Sequence, residues 1–450
     1  CVVVNPLLSA SVTAPYRRLC GCGTAYFLAM GMLERLAPAL YDDLHQRKLL
    51  DLVAVATVAD LVPLVDDNRI LVREGLRVIG GNPRPGLKAL AVLMCGEEAV
   101  KASDIAFRIA PCINACGRLD ETADALALFA HDAEGDLSPL AETVRDYNDE
   151  RKNMERRIAK EAAAQFEEHT GPMTCAVAAG ENWHPGVIGI VASRLVEQFH
   201  CPSVVLTTTE EKPGIYTGSA RSVPGFHLYE GLSACAEYLL QFGGHAQAAG
   251  FTITAQQIPA FRRKMCQLAD AYAPLKESGG VLALDAVLPN QLLTLENVAA
   301  LEALEPFGAG NPRPTFLVEH ATLLSYSCVG GGRHTRMQVD CDGLILDAIF
   351  FSTTPRAAGL RSGMRLDLAC YPQVNQFRGC RTVQLLITDI RRALSPAMVD
   401  LRIYQRFRAG EMLSNQELRR LLPQRQDFVA TWRYLAHYAG KGTLTEQPLA

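Results

Sequence analysis

Apolar and polar positions are arranged in three different ways along the 450 residues, and each predicts a different kind of structure. From Tyr26 to Leu40 and from Leu49 to Leu64 the chain is densely apolar with many small residues. That suits elements buried in an α/β core, with helix and strand both open. Arg84-Pro85-Gly86-Leu87 begins a helix that reaches Met94, and Ala102-Ser103-Asp104 reads as a cap in front of Ile105-Ala106-Phe107. At Ser138 the pattern turns clearly helical, with Ser138 as N-cap, Pro139 at the first helical position and apolar residues at Leu140, Val144, Tyr147, Met154, Ile158 and Phe166. The spacing predicts a helix of about 30 residues, roughly 45 Å long. Arg151, Lys152, Glu155, Arg156 and Arg157 fall outside its apolar stripe, so a solvated strut between two domains is expected, ended by His169-Thr170-Gly171-Pro172.

A strand from Met173 to Ala178, a helix from Val187 to Phe199 and a strand from Ser203 to Leu206 give a β-α-β rhythm and predict a parallel sheet. A helix from Ile258 to Tyr272 leads into the polar break Lys276-Glu277-Ser278-Gly279-Gly280. Beyond it, short alternating strands at Arg336 to Val339, Leu344 to Phe351 and Thr382 to Thr388, with a turn at Gly330-Gly331-Gly332, predict a small β-barrel of OB type. After Arg392, apolar residues at Leu418, Leu421, Phe428, Trp432 and Leu435 in an Arg-rich tail predict a small helical domain. The chain is thus read as α/β with these parts: an α/β domain over 1–136, a connecting helix over 137–170, a second α/β domain over 171–278, an OB-type barrel over 279–393 and a helical domain over 394–450.

Composition narrows this little. The length exceeds one hydrophobic core and calls for two to four domains, and 49% apolar with 20% charged residues is the balance of a globular protein. The net charge of −4 excludes a uniformly basic coat but not a local basic patch. No apolar run spans a bilayer and nothing marks export, which points to the cytoplasm. Fourteen scattered cysteines without a Cys-x-x-Cys pair read as buried thiols and not as zinc ligands or disulfides. Opening at Cys1 on Val2-Val3-Val4 reads as the interior of a strand whose partners lie upstream, so an N-terminally truncated chain is expected.

Five segments carry chemistry. Asp60 sits in the apolar run Ala56 to Leu64 and needs a partner there, either a cation or, as a turn cap before Pro63, the backbone; Asp51 is a second candidate for the cation. In Ile113-Asn114-Ala115-Cys116-Gly117-Arg118, an amide and a guanidinium flank a glycine, a way to present donors to a phosphate. Trp183-His184-Pro185-Gly186 opens a helix whose free N–H groups suit an anion, with His184 either binding it or capping. Gly218-Ser219-Ala220-Arg221-Ser222 places hydroxyls around an arginine after a strand. Phe242-Gly243-Gly244-His245-Ala246-Gln247-Ala248-Ala249-Gly250 combines close backbone approach with the ring donor of His245, its alanines being expected to thin a following helix.

In this order and spacing the motifs resemble the DHH phosphoesterase superfamily, and within it the RecJ-type single-stranded-DNA-specific exonucleases. Gly243 to Gly250 looks like the signature of the DHHA1 domain, and Pro306-Phe307-Gly308-Ala309-Gly310-Asn311-Pro312 stands where RecJ proteins enter their OB domain. The resemblance implies that 1–136 is the C-terminal part of a DHH catalytic domain and 171–278 a DHHA1 domain. It implies a 5′→3′ exonuclease of DNA repair and recombination, using two Mn²⁺ or Mg²⁺ ions to hydrolyse phosphodiesters. Asp60 becomes the last metal-binding aspartate of the DHH domain. The family's Asp-x-Asp and Asp-His-His motifs do not occur in 1–136, so the chain as it stands is expected to be inactive.

The same resemblance gives Asn114, Arg118, His184, Arg221, Ser222, Gly243, Gly244 and His245 to the terminal phosphate and backbone of a single strand. The family has an arginine where Cys112 stands, which removes part of that grip. In the barrel, Arg333, Arg336, Tyr371, Phe377, Arg378 and Arg381 are candidates for tracking the strand by charge and stacking. Single-stranded DNA is the implied partner, with a single-strand-binding protein or a RecQ-type helicase as candidates for the tail. Two rivals stay open: a phosphodiesterase of short oligonucleotides or cyclic dinucleotides, and a non-catalytic relative that only binds nucleic acid.

Overall fold

A computed structural model of the protein describes residues 4–6, 18–38, 48–130, 135–167, 171, 173–208, 213–271, 281–377, 379–394, 396–423 and 425–438. Cys1 to Val3, the helix-ending His169, Thr170 and Pro172, the break at Lys276 to Gly280, Arg378 and the side chain of Phe377 lie outside the described residues. The chain divides into two compact units, residues 1–282 with 304–313 and residues 283–303 with 314–450. Among the described residues no helix is long and apolar enough to cross a membrane.

In the first unit the ambiguous apolar runs are helices: α1 (Gly21–Leu36), α2 (Leu50–Ala59), α3 (Asp66–Gly81), α4 (Pro85–Cys95), α5 (Ala110–Arg118) and α6 (Thr122–Phe129). α2 is buried almost all round, which is why its sequence lacks a polar face. Ala54, Val72, Leu87, Leu90, Ile105, Ile109 and Leu128 form the core. In front of α5, Asp104 caps the turn at Lys101, and Ile105–Ile109 winds as a π-helix. Asp51, weighed above for a cation, is instead wholly buried against Arg84.

The long helix α7 (Ser138–Ala164) runs 27 residues, about 40 Å. Its cap differs from the expectation: Leu137 is the N-cap residue, Ser138 is already helical, and the Asp136 carboxylate accepts the Ser138 N–H. The strut is not solvated along its length either. Asn148 and Glu155 lie in register with the buried Ala141, Val144, Ile158 and Ala162, and Arg151 turns inward to meet them. The apolar stripe carries two polar positions because an ion-pair network satisfies them.

A five-stranded sheet follows, built from β1 (Ala176–Glu181), β2 (Ser203–Thr208), β3 (Ile215–Arg221), β4 (Leu239–Gly244) and β5 (Ala248–Thr254) in the order β1-β2-β3-β5-β4. Only β1 and β2 are parallel, joined through α8 (Pro185–Phe199); every other pairing is antiparallel. The parallel sheet expected from the β-α-β rhythm is therefore confined to its first two strands. Short connections cannot carry a parallel crossover. Ala178 and Val205 face α7 and α8, whereas Val177, Val204 and Leu206 face a layer containing α9 (Leu228–Ser233) and α10 (Ile258–Asp270), as strand alternation requires.

In the second unit, β6 (Ala286–Val287) and α11 (Leu295–Ala300) precede β7 (Phe316–Val329), β8 (His334–Cys341), β9 (Leu344–Phe350), β10 (Arg365–Phe377) and β11 (Cys380–Arg392). The strand order β7-β8-β9-β11-β10 returns to β7, so the five strands close into a barrel, with β9 and β11 parallel. Val318, Leu323, Met337, Val339, Leu368 and Leu385 fill it. Three helices end the description: α12 (Pro396–Arg408), α13 (Asn415–Leu421) and α14 (Arg425–Tyr438).

Candidate functional site

Helix α8 organises the site. His184 is its N-cap, and the imidazole Nδ1 accepts the Gly186 N–H at 3.1 Å, which leaves the proton of a neutral ring on Nε2. Arg118, at the end of α5, donates Nη1 to the Gly186 carbonyl at 3.1 Å. The approach is so close that a Cβ on Gly186 would stand 2.1 Å from the Arg118 carbonyl oxygen, so only glycine fits there. One turn further along, the Arg221 guanidinium lies against Gly189. Its Nη1 donates to Ser219 Oγ at 3.2 Å and to the Ala220 carbonyl at 2.8 Å.

Arg118 and Arg221 are both half-buried and neither has a carboxylate partner among the described residues. Burial holds each below the ordinary arginine value, and a neighbouring guanidinium adds to it, Arg151 for Arg118 and Arg118 for Arg221. Both remain cations at any physiological pH. Two neighbouring cations whose hydrogen bonds among the described residues go only to carbonyl and hydroxyl oxygens have the chemistry to hold an anion.

The Gly-Gly-His segment meets this site through the sheet. It forms the turn between β4 and β5 and enters a strand, not the helix expected above. The period-two pattern of Phe251 and Ile253 inward belongs to a strand, and the small residues before them pair with β3. Gly244 takes φ +150, where a Cβ would be 2.5 Å from the Ala248 carbonyl oxygen. His245 is exposed, with Nδ1 accepting the Gln247 N–H at 3.3 Å, so it too presents Nε2–H outward. Gln247 in turn accepts the Ser222 N–H, and Ala248 pairs with Arg221. Gly243 is exposed with open space above it.

The remaining candidates divide. Asn114 is exposed on α5, four residues before Arg118 and on its side of the helix. Ser222 has committed its hydroxyl hydrogen to the Phe226 carbonyl at 2.7 Å. Cys112 is fully buried, bonded to the Arg108 carbonyl and packed in the core, so that position faces inward here. Asp60 is exposed at the C-terminal end of α2 and, among the described residues, shares no hydrogen bond or ion pair with the arginines. Among the described residues no three His, Cys, Asp or Glu side chains form a metal-holding group. Of the two fates open to it, Asp60 stands as the C-cap residue of the turn before Pro63: the helix ends at Ala59 and the chain turns outward with Leu61 at φ +54.

In the barrel, Arg336 pairs with Asp347 at 3.0 Å beside Tyr326, lining a shallow groove of about 250 Å³ with Ser325, Ser327 and Gln338. Arg333 reaches the Gly330 carbonyl and Arg381 is exposed on β11. Tyr371, expected as a stacking ring, is 7% exposed and belongs to the interior.

The sequence reading puts Arg151 and Glu155 on a solvated face and singles out neither Asn148 nor Arg194. Their signal was present: polar residues at 148 and 155 continue the 3-4 spacing of the buried positions of α7.

Two family models match, the DHHA1 domain over residues 172–271 and the RecJ OB domain over 284–389. The single-stranded-DNA-specific exonuclease RecJ of Bacillus subtilis is 35% identical over 379 residues, 84% of this chain and 47% of that protein. The Escherichia coli exonuclease of the same name is 33% identical over 408 residues, 86% of this chain and 70% of that protein. The crystal structure of RecJ from Thermus thermophilus in complex with Mg²⁺ superposes with a TM-score of 0.71 at 30% identity, covering 87% of this chain and 58% of that one. Its complex with Mn²⁺ gives the same score. The chain thus spans about half the length of the first of these relatives.

Proposed function

The chain belongs to the RecJ family of single-stranded-DNA-specific exonucleases, and from that membership we propose that it is the strand-holding part of a 5′→3′ exonuclease that releases nucleotides by metal-dependent phosphodiester hydrolysis. The observation that carries the reading is the pair Arg118 and Arg221 at the head of α8, two half-buried cations that share no ion pair with a carboxylate among the described residues. They would grip the terminal phosphate of a single strand. His184 and His245 would add Nε2–H donors, Asn114 an amide, and Gly243, Gly244 and Ser222 the backbone of the cradle. This partition gives 1–136 to a DHH remainder, 137–170 to the connecting helix, 171–278 to the DHHA1 part, 279–393 to the OB barrel and 394–450 to the helical tail.

Mn²⁺ or Mg²⁺, the ions of the Thermus structures, suit the donor chemistry of Asp60: a hard carboxylate oxygen, exposed at a helix C-terminus whose partial negative charge repels it unless a cation is near. Asp60 would hold one such ion, which when bound supplies activation of water and charge compensation at the leaving oxygen. One carboxylate is too few for this, so the chain as it stands would bind strands without cleaving them. Single-stranded DNA in the cytoplasm is the proposed partner, with a single-strand-binding protein or a RecQ-type helicase as the proposed protein contacts of the tail.

The reading is tested by incubating the chain with 5′-labelled single strands and Mn²⁺. Retention of label on bound, intact strands is expected; robust nucleotide release shows the inactivity proposal wrong. Failure of Arg118→Ala to weaken binding of a 5′-phosphorylated strand would remove the phosphate grip.

A further inference from the structure

Two arginines close on one carboxylate in the first unit, and a third, Arg118, lies within its electrostatic reach. Glu155, in the C-terminal half of α7 and 4% exposed, accepts Nη1 of Arg151 at 2.5 Å and Nε of Arg194 from α8. Arg151 gives its other terminal nitrogen to Oδ1 of Asn148, also 2.5 Å away, and Asn148 is buried. Arg151 and Glu155 are the charged neighbours of Arg118, and Arg118 is the charged neighbour of Arg221. Helix α8 joins the two layers: Arg118 bonds its first turn at Gly186, Arg221 lies on Gly189, and Arg194 reaches from its third turn to Glu155.

We infer that Glu155 is a positioning residue for the anion-binding pair: by holding Arg151 and anchoring α8 through Arg194, it fixes where the Arg118 and Arg221 guanidiniums point. The inference rests on the phosphate-grip reading above. A buried carboxylate that binds two arginines from two helices defines the spacing of those helices, and its removal leaves the buried Arg151 without its counter-charge and α8 without its tie to α7. Charge alone makes the opposite prediction to positioning. Deleting one negative charge from an anion site raises its attraction for every strand, whereas loss of alignment selectively weakens the contact that needs geometry, the bidentate hold on a terminal phosphate.

The test measures, on the 450-residue chain, the affinity ratio between 5′-phosphorylated and 5′-hydroxyl versions of one oligonucleotide. Glu155→Gln is expected to lower that ratio about tenfold while affinity for the 5′-hydroxyl strand holds or rises. A folded Glu155→Gln protein whose ratio stays within about twofold of the parent overturns the inference. Where Glu155→Gln does not fold, Arg194→Gln decides, since it removes the tie to α8 at a half-exposed side chain; an unchanged ratio overturns the inference and a reduced one supports it. Arg118→Ala separates the two readings. If it loses the ratio and Glu155→Gln does not, only the positioning role fails; if neither loses it, the phosphate grip itself has failed.

Discussion

Arg84 closes on Asp51 through two nitrogens, Nε to Oδ2 at 3.0 Å and Nη2 to Oδ1 at 2.9 Å, while its own backbone N–H adds a third bond to the same carboxylate. The aspartate is fully buried and the arginine nearly so. Asp51→Asn leaves the guanidinium buried without a counter-charge and is expected to destabilise the first unit by about 3–5 kcal/mol, read by denaturant unfolding. An unchanged midpoint would mean that water reaches the pair.

The grip proposed for Arg118 and Arg221 has a salt signature. Each phosphate contact on a single strand contributes about 0.7 to the slope of log affinity against log salt. Arg118→Ala and Arg221→Ala should each flatten that slope by about this amount, and the double variant by roughly twice as much. A parallel downward shift with unchanged slope would assign the loss to folding instead.

Cys266 offers a pH test. Its thiol, which donates to the Cys175 carbonyl at 3.6 Å, is drawn down to about 7 by the neighbouring Cys175 thiol, while Cys175 is pushed up by the same neighbour and by burial. The thiolate is the reactive form, so a lowered value means that alkylation of Cys266 rises through pH about 7. Cys175→Ala removes that neighbouring thiol and should move that midpoint upward, towards the ordinary thiol value. Peptide mapping after iodoacetamide treatment checks it, and a midpoint insensitive to Cys175→Ala excludes the Cys175 thiol as the cause. Cys201 and Cys235, both held near 11 by burial, should stay unmodified over this range.

Asn311 sets up a fourth expectation. Its amide donates to the Leu304 and Pro306 carbonyls at 3.0 and 2.8 Å, shaping a loop whose Ala309 carbonyl accepts the Leu64 N–H at 2.6 Å. Leu64 lies four residues beyond Asp60, between the left-handed residues Leu61 and Asp66. Asn311→Ala removes two hydrogen bonds worth about 1 kcal/mol each, so amide exchange at Leu64 should quicken by tenfold or more. Unaltered exchange would show that the loop keeps its shape without the asparagine.

Much of this architecture was legible in the residues. The alternation of β8, β9 and β11 and the long stripe of α7 announced themselves by period, and the glycine-bearing motifs marked the places of close approach. What escaped was long-range. Whether Asp51 met a metal or an arginine depended on Arg84, 33 positions away. Whether Glu155 faced water depended on Arg194, on a different helix. The Gly-Gly-His turn reads as leading into a helix thinned by three alanines, whereas pairing with β3 makes the segment a strand. For Asp60 the apolar neighbours leave a cation and a turn cap before Pro63 both open; it stands as the exposed C-cap residue of α2, because a helix end places adjacent residues in opposite environments.

The ten-residue loop at 304–313 belongs with the first unit although the chain before and after it, 283–303 and from 314 on, belongs with the second. The polypeptide therefore changes allegiance three times, and no single cut in the sequence separates the halves cleanly. A C-terminal piece expressed alone would carry Leu304 to Arg313 without Pro63, Leu64 and Arg69, the residues that loop rests against. Such threading makes a substitution in the loop act on the unit that bears Asp60, although the loop sits in sequence among residues of the other unit.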